Sequence, residues 1–380
     1  MTTIPYGRQD INQADLDAVM AVLRSDWLTQ GPAIEQFEKA VAELTGAKYA
    51  VAVANATAAL HIACLAAELG RGNKLWTSPN TFVASANCAL YCGARIDFVD
   101  VDPKTYNLSV EALERKLEIS PPPKALVPVH FAGQSCDMAE ISRLARKAGV
   151  TTIIEDASHA VGGSYRGKPV GACEYSDMAV FSFHPVKIIT TGEGGMVLTN
   201  REDLYRKLLL FRSHGITRNP ELMRGASQGP WYYEQVELGF NYRITDMQAA
   251  LGASQLKRLP EFIEARNRLV NRYDRELAGL PLTLPTQAAY ARSAHHLYPV
   301  QVHGERREIF EKLRAEKIEV NVHYIPVHRQ PHYADLGFKV GDFPVAEAYY
   351  ERAISLPMYA ALSEENQTRV ISALRKILPQ

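Results

Sequence analysis

Short apolar runs alternate with helix-spaced amphipathic segments over the first half of the chain, and this alternation limits the fold more than any other feature. Strand-like runs fall at 49–54, 74–78, 95–99, 125–130, 152–155, 178–182 and 195–199. Helical spacing is clearest at 109–117 and 138–148. Earlier helices are expected from an N-cap at Asn12, with Leu16, Val19, Met20 and Leu23 on one face, over 34–46, and from Asn55 to about Gly70. Apolar strands separated by helices imply a mainly parallel sheet covered on both faces. After Asp246 a long helical pattern runs through Pro260 to about Leu277, and the proline should kink or divide it. Strands are then expected at 296–302 and 318–324 around a helix over 306–317. The last helix opens at Ser363 with Glu364 and Glu365 and closes with Arg375 and Lys376, matching its dipole at both ends. The expectation is an N-terminal arm and large α/β domain over 1–255, then a small α+β domain over 256–380.

Several function classes lose ground on composition and motif. Lys plus Arg and Asp plus Glu both number 42, so no global positive charge is available for nucleic acid. No signal-like leader and no apolar run of ~18 residues is present, so a cytoplasmic protein without a membrane partner is expected. The five cysteines, Cys64, Cys88, Cys92, Cys136 and Cys173, form no CxxC and read as reduced, mostly buried thiols. There is no GxGxxG, which disfavours a dinucleotide site. The run 162–169, GGSYRGKP, has Pro169 where a P-loop needs Ser or Thr, and reads as a turn. His323, His328 and His332 lack a carboxylate motif, and Pro326 and Pro331 break any helix between them, so no metal is expected.

Three segments carry more specific chemistry. In Thr152-Ile153-Ile154-Glu155-Asp156-Ala157-Ser158-His159 an apolar strand ends in acids and a histidine, where open α/β sheets bind ligands, although an isolated Asp there is also a good helix N-cap. In Phe181-Ser182-Phe183-His184-Pro185-Val186-Lys187 one lysine stands among apolar neighbours ahead of a glycine-rich turn. Desolvation would lower its pKa and make the amine a nucleophile, while a surface lysine laying its stem on apolar residues is the alternative. Asn55-Ala56-Thr57 opens a helix with small residues and free amides, a cradle for one phosphate. A reactive lysine, a strand-end acid and a single-phosphate cradle are what pyridoxal phosphate (PLP) requires.

With these residues in view the chain resembles the DegT-type sugar-nucleotide aminotransferases, PLP-dependent transferases of fold type I (aspartate-aminotransferase-like). The likeness runs from Tyr6-Gly7-Arg8-Gln9 and Leu28-Thr29-Gln30-Gly31-Pro32 through Glu155-Asp156-Ala157 and FSFHPVK to Gly239-Phe240-Asn241-Tyr242-Arg243. It is strongest toward the branch that makes UDP-4-amino-4,6-dideoxy-N-acetyl-β-L-altrosamine for pseudaminic acid, through IPYGRQ, Asn55-Ala56-Thr57, HPVKIITTGEGG and Val322-His323-Tyr324-Ile325-Pro326. The fold implied is a large mainly parallel-sheet domain with a small C-terminal α+β domain.

The resemblance implies that Lys187 bonds the cofactor and moves a proton, and that Asp156 pairs with the pyridine nitrogen. It puts His159 near the ring, Ala56, Thr57 and Ser182 at the phosphate, Phe82 stacked on the ring, and Asn241 reaching the phosphate from the neighbouring subunit of a homodimer. Tyr6, Asp26, Trp27, Leu28, Thr29, His184, His323 and Tyr324 match segments that approach the substrate. The substrates implied are L-glutamate and a UDP-linked 4-keto-6-deoxy-N-acetylhexosamine. Asn-Ala-Thr departs from the commoner Ser-Gly-Thr cradle, and His159 from the commoner glutamine. The lysine at 187, where dehydratase relatives carry histidine, favours amino transfer. Other readings stay open: another nucleotide-linked keto-sugar of the bacillosamine type, a non-catalytic sensor of PLP or sugar nucleotide, and a structural subunit.

Overall fold

A computed structural model describes residues 2–378. The central sheet comprises β1 (Tyr49–Val53), β2 (Lys74–Thr77), β3 (Arg95–Phe98), β4 (Ala125–Val127), β5 (Thr152–Asp156), β6 (Met178–Ser182) and β7 (Gly195–Thr199). Its spatial order is β1-β7-β6-β5-β4-β2-β3. Every residue of β5, β6 and β7 is buried, as continuous apolar strands must be when helices cover both faces. The pairs from β6 across to β3 are parallel, but β7 is antiparallel to both β6 and β1. The loop over 183–194 joins β6 to β7 without a crossover helix, as an antiparallel pair allows.

In chain order the larger helices are α1 (Gln13–Leu23), α2 (Pro32–Thr45), α3 (Ala56–Ala66), α4 (Ala84–Tyr91), α5 (Val110–Ile119) and α6 (Met138–Lys147). They continue with α7 (Glu202–Arg212), α8 (Asp246–Lys257), α9 (Leu259–Leu277), α10 (Arg306–Ala315), α11 (Pro344–Arg352) and α12 (Glu364–Ile377). One face of the sheet packs on α3, α4 and α7, and the other is covered by α2 and α8 near β7 and by α5 and α6 near β4. A second core lies between α9, α12 and a smaller antiparallel sheet of β8 (Leu282–Thr283), β9 (Tyr298–Val302) and β10 (Ala353–Leu356). Ile4, 1% exposed, packs in that core and bridges Ile318, so the chain's first residues are tied to its C-terminal part.

The structure departs from the sequence reading in identifiable places. The segment 318–324 forms no regular strand; single bridges join Ile4 to Ile318 and Asn321 to Ser355. Ile318 and Val320 are buried in the second core, after which 321–324 turn over the central cavity, so the apolar alternation reports burial without a ladder. The apolar residues of α1 do not form its packed face: Leu16, Met20 and Leu23 are 52%, 43% and 50% exposed, and the residue buried is Asp15. The expected strand over 125–130 ends at Val127, with Val129 making one bridge to Asp156. Pro260 does divide the long helix, sitting in the first turn of α9 just after the break at Arg258. The boundary expected after residue 255 falls in the last turn of α8. GGSYRGKP is a hairpin, with Arg166 and Gly167 both at positive φ (47° and 80°), the geometry of a tight two-residue turn. The cysteines are free, all buried except the partly exposed Cys92. Among the described residues no helix is long and apolar enough to cross a membrane.

Candidate active site

Neighbouring acids at the end of β5 meet different fates because successive strand residues face opposite sides of a sheet. Glu155 turns into the protein, 2.7 Å from His130 Nε2 and accepting Ser176 Oγ at 2.5 Å. Burial pulls the His130 pKa down, but its contacts with Cys136 and Glu155 outweigh this and raise it to about 10. Asp156 turns toward a cavity of about 910 Å3. It is 5% exposed and accepts the Ser85 hydroxyl at 2.5 Å and the Ser158 amide at 3.1 Å.

Lys187 enters the same cavity from the loop between β6 and β7. Phe183, Ile188 and Ile189 anchor that loop in the core, and backbone bonds from Phe183 N to Gly194 O (2.9 Å) and Thr191 N to Phe183 O (3.0 Å) close it. Burial lowers the lysine pKa to about 8, with Asp156 pulling it back up. The amine is therefore partly unprotonated near neutrality, as the apolar neighbours in the sequence suggested.

The cradle lies across from these groups. Asn55 caps α3 by accepting the Ala58 amide at 2.8 Å, and the helical ladder starts with Ala59 N to Asn55 O at 3.0 Å. Ala56 and Thr57 thus sit in the turn whose amides have no helical carbonyl to bond, at the positive end of the helix. Ser182, buried at the end of β6, lines the same cavity. A Cβ on Gly195 would stand 2.5 Å from Asn55 O and 2.7 Å from Ala56 N, so the first residue of β7 must be glycine for the cradle to approach the sheet.

Aromatic and imidazole groups complete the walls. Phe82, 58% exposed, stands 6.4 Å from the Tyr324 ring, and Tyr6 stands 5.6 Å from His323. His159 Nε2 lies 3.1 Å from the Tyr324 hydroxyl, while its buried Nδ1 has no partner. His296 packs 4.4 Å from His159 with its own Nδ1 unpartnered. Burial, reinforced by Lys187, lowers the pKa of His159 and His296 and takes His323 to about 3. Burial and Asp156 raise the Tyr324 phenol. At neutral pH these rings are uncharged, and the cavity's charge is concentrated on Lys187 and the acids. His184 is exposed at the rim, its pKa lowered by burial of part of the ring against the opposing pull of Glu193.

Five candidate residues do not line this cavity. Asn241 is exposed on a segment bridged to Ser213, and Asp26, Trp27, Leu28 and Thr29 form an exposed turn held by a Thr29–Thr245 bridge. Conversely, Ser85, His296 and Asn321 line it and carry no local sequence signal. Ser85 reaches Asp156 across 71 positions, a contact only the fold reveals. No group of three or more His, Cys, Asp or Glu among the described residues is placed to hold a metal. His323 is instead 2.8 Å from the Ser355 hydroxyl, and His328 2.8 Å from Glu347.

The residues fit PLP: an amine of lowered pKa, a buried carboxylate for a ring nitrogen, an amide and hydroxyl cradle for one phosphate, and a buried imidazole nitrogen that the protein leaves without a partner. The DegT/DnrJ/EryC1/StrS aminotransferase family model matches residues 9–375. The chain is 40% identical to GDP-perosamine synthase of Caulobacter vibrioides, covering 98% of this chain and 96% of that protein. It is 37% identical to UDP-4-amino-4,6-dideoxy-N-acetyl-beta-L-altrosamine transaminase of Campylobacter jejuni subsp. jejuni, over 99% and 97% of the two chains. Among solved structures it matches PseC of Helicobacter pylori, an aminotransferase of pseudoaminic acid biosynthesis, with TM-score 0.90 and 33% identity over 99% of each chain. It also matches Spr1654 of Streptococcus pneumoniae in its PLP form, with TM-score 0.91 and 30% identity over 99% of this chain and all (100%) of that one. The chain belongs to the DegT/DnrJ/EryC1/StrS family and is a PLP-dependent sugar aminotransferase of fold type I.

Proposed function

We propose that this enzyme moves an amino group from L-glutamate to C4 of a UDP-linked 4-keto-6-deoxy-N-acetylhexosamine, giving UDP-4-amino-4,6-dideoxy-N-acetyl-β-L-altrosamine as in pseudaminic acid biosynthesis. The observation that carries the reaction type is Lys187, with its lowered pKa, in one cavity with Asp156. Support for the acceptor comes from the altrosamine transaminase and PseC likenesses. PLP, when bound, would supply the electron sink and the carrier for the amino group. Lys187 anchors the cofactor by its ε-amine and, once released, moves a proton at the substrate carbon. Asp156 keeps the ring nitrogen protonated. Ala56, Thr57 and Ser182 would hold the phosphate, and Phe82 would stack on the ring. His159, held by the Tyr324 hydroxyl, would contact the cofactor ring. Tyr6, His184, His323 and Tyr324 form the wall toward the sugar nucleotide.

The active form in this reading is a cytoplasmic homodimer with shared sites. Asn241 and the turn Asp26-Trp27-Leu28-Thr29 are exposed and outside their own chain's cavity, as residues serving a partner's site would be. A second acceptor is favoured by the GDP-perosamine synthase likeness: a GDP-linked 4-keto-6-deoxyhexose. The deciding experiment offers the enzyme, with L-glutamate, the L- and D-configured UDP-linked 4-keto sugars and the GDP-linked one, and identifies the amino sugar by mass and NMR. Preferential amination of the L-configured UDP sugar is expected. Preference for the D-configured UDP sugar assigns the bacillosamine-type acceptor instead, and preference for the GDP sugar assigns the perosamine-type acceptor.

A further inference from the structure

The segment joining β2 to α4 does more than present the Phe82 ring. Thr81 and Ser85, on either side of that ring, are 3% and 1% exposed. Ser85 Oγ lies 2.5 Å from Asp156 Oδ2, and Thr81 Oγ1 lies 2.8 Å from Ser85 Oγ. A carboxylate only accepts, so Ser85 must spend its single proton on Asp156. Its lone pairs then face Thr81, which becomes the donor, and the direction Thr81 to Ser85 to Asp156 follows. The Ser85–Asp156 distance lies in the range of a charge-assisted O–H···O⁻ bond. The other carboxylate oxygen accepts the Ser158 amide at 3.1 Å. Both Asp156 oxygens are thus engaged from fixed positions: one by the helix of the Phe82 segment, the other by the backbone just beyond β5. Ser85 is itself held, since its carbonyl accepts Cys88 Sγ at 3.2 Å, and Asn87 two residues on accepts the Tyr333 hydroxyl at 2.6 Å.

We propose that Thr81 and Ser85 form a hydroxyl relay that orients Asp156, making Ser85 a positioning residue for the ring nitrogen of PLP. The proposal rests on the role given to Asp156 above. In a buried site the chain of two bonds strengthens the inner one, which fixes the carboxylate more firmly.

The test uses purified protein and PLP itself. Ser85→Ala is expected to weaken PLP binding about tenfold, the scale of one hydrogen bond to a charged group. It should also move deprotonation of the ring nitrogen, followed by NMR of nitrogen-15-labelled cofactor, to lower pH by about one unit. Thr81→Val should show the same changes at about a third of the size, and Thr81→Ser, which keeps the hydroxyl, should restore both readouts. In an Asp156→Asn background Ser85→Ala should add nothing, because the relay then has no carboxylate to act on. Unchanged PLP affinity and ring titration in Thr81→Val would overturn the relay, as would an undiminished effect of Ser85→Ala in the Asp156→Asn background. Should Ser85→Ala fail to fold, Thr81→Val alone decides. Asp156→Asn by itself separates the two readings: if it matches wild type in both measurements, the assignment of Asp156 fails, and if it is impaired while Thr81→Val is not, the relay alone fails.

Discussion

At the residue scale, the chemistry concentrates in groups whose local sequence already announced them and others that no local pattern contains. Lys187 and Asp156 were legible because Asp156 ends one apolar strand and Lys187 stands in the loop after another, at the edge where such sheets bind ligands. Ser85 and His296 were not, because their roles depend on contacts between distant parts of the chain. The lysine gives a pH prediction whose sign is fixed by its surroundings. Its amine is protonated below about 8 and free above. The rate at which cofactor-free enzyme captures PLP, trapped by borohydride reduction, should therefore rise about tenfold per pH unit up to that value and then level. Asp156 raises the lysine pKa, so Asp156→Asn should shift the inflection to lower pH. An inflection in the ordinary lysine range near 10.5 would contradict the desolvated amine.

At the scale of elements, propensity and apolar spacing located α1 but misjudged what holds it. Its buried contact is polar: Asp15 accepts Ser254 Oγ at 2.6 Å, Gln255 Nε2 at 2.7 Å and Arg258 Nη2 at 2.7 Å, and closes a capping box with Asn12. Burial pushes the Asp15 pKa up, but the bonds from Ser254, Asn12 and Gln255 and the charge of Arg258 together bring it below 3.8. Asp15→Ala should cost about 2 kcal/mol by urea denaturation, since it removes the acceptor of Ser254 and leaves Gln255 and Arg258 with their bonds to Asp10 alone. Because the folded-state pKa is the lower one, this contribution is fully present above the ordinary value and fades as pH falls through the folded one. The difference between wild type and Asp15→Ala should accordingly shrink below pH 3.8. A difference under about 0.5 kcal/mol at pH 7 would mean that α1 is held by something else. The reversed strand β7 was equally hidden, because burial on both faces gives parallel and antiparallel strands the same apolar sequence.

At the scale of the molecule, the alternation of strands and helices specified the layered α/β architecture, whereas the second core draws on Ile4 and on residues from Leu269 onward, and α8, which begins at Asp246, still packs on the first sheet. The proposed association between subunits leaves no such pattern; the surface available to it includes Trp27 and Leu28, 55% and 47% exposed, beside candidate residues that their own cavity does not use. Shared sites make a direct prediction: mixing inactive Lys187→Ala with inactive Asn241→Ala under subunit exchange should restore activity, since one site of each mixed dimer is then intact. Proven exchange without rescue would place each site within one chain. The central claim is that Lys187 holds PLP for amino transfer. Its most direct test is the visible absorbance of purified protein with PLP, recorded before and after L-glutamate while 2-oxoglutarate is assayed. The account predicts a band from lysine-bound cofactor that disappears as one equivalent of 2-oxoglutarate forms. A band that also forms in Lys187→Ala, or that persists in wild type with no 2-oxoglutarate produced, would contradict it.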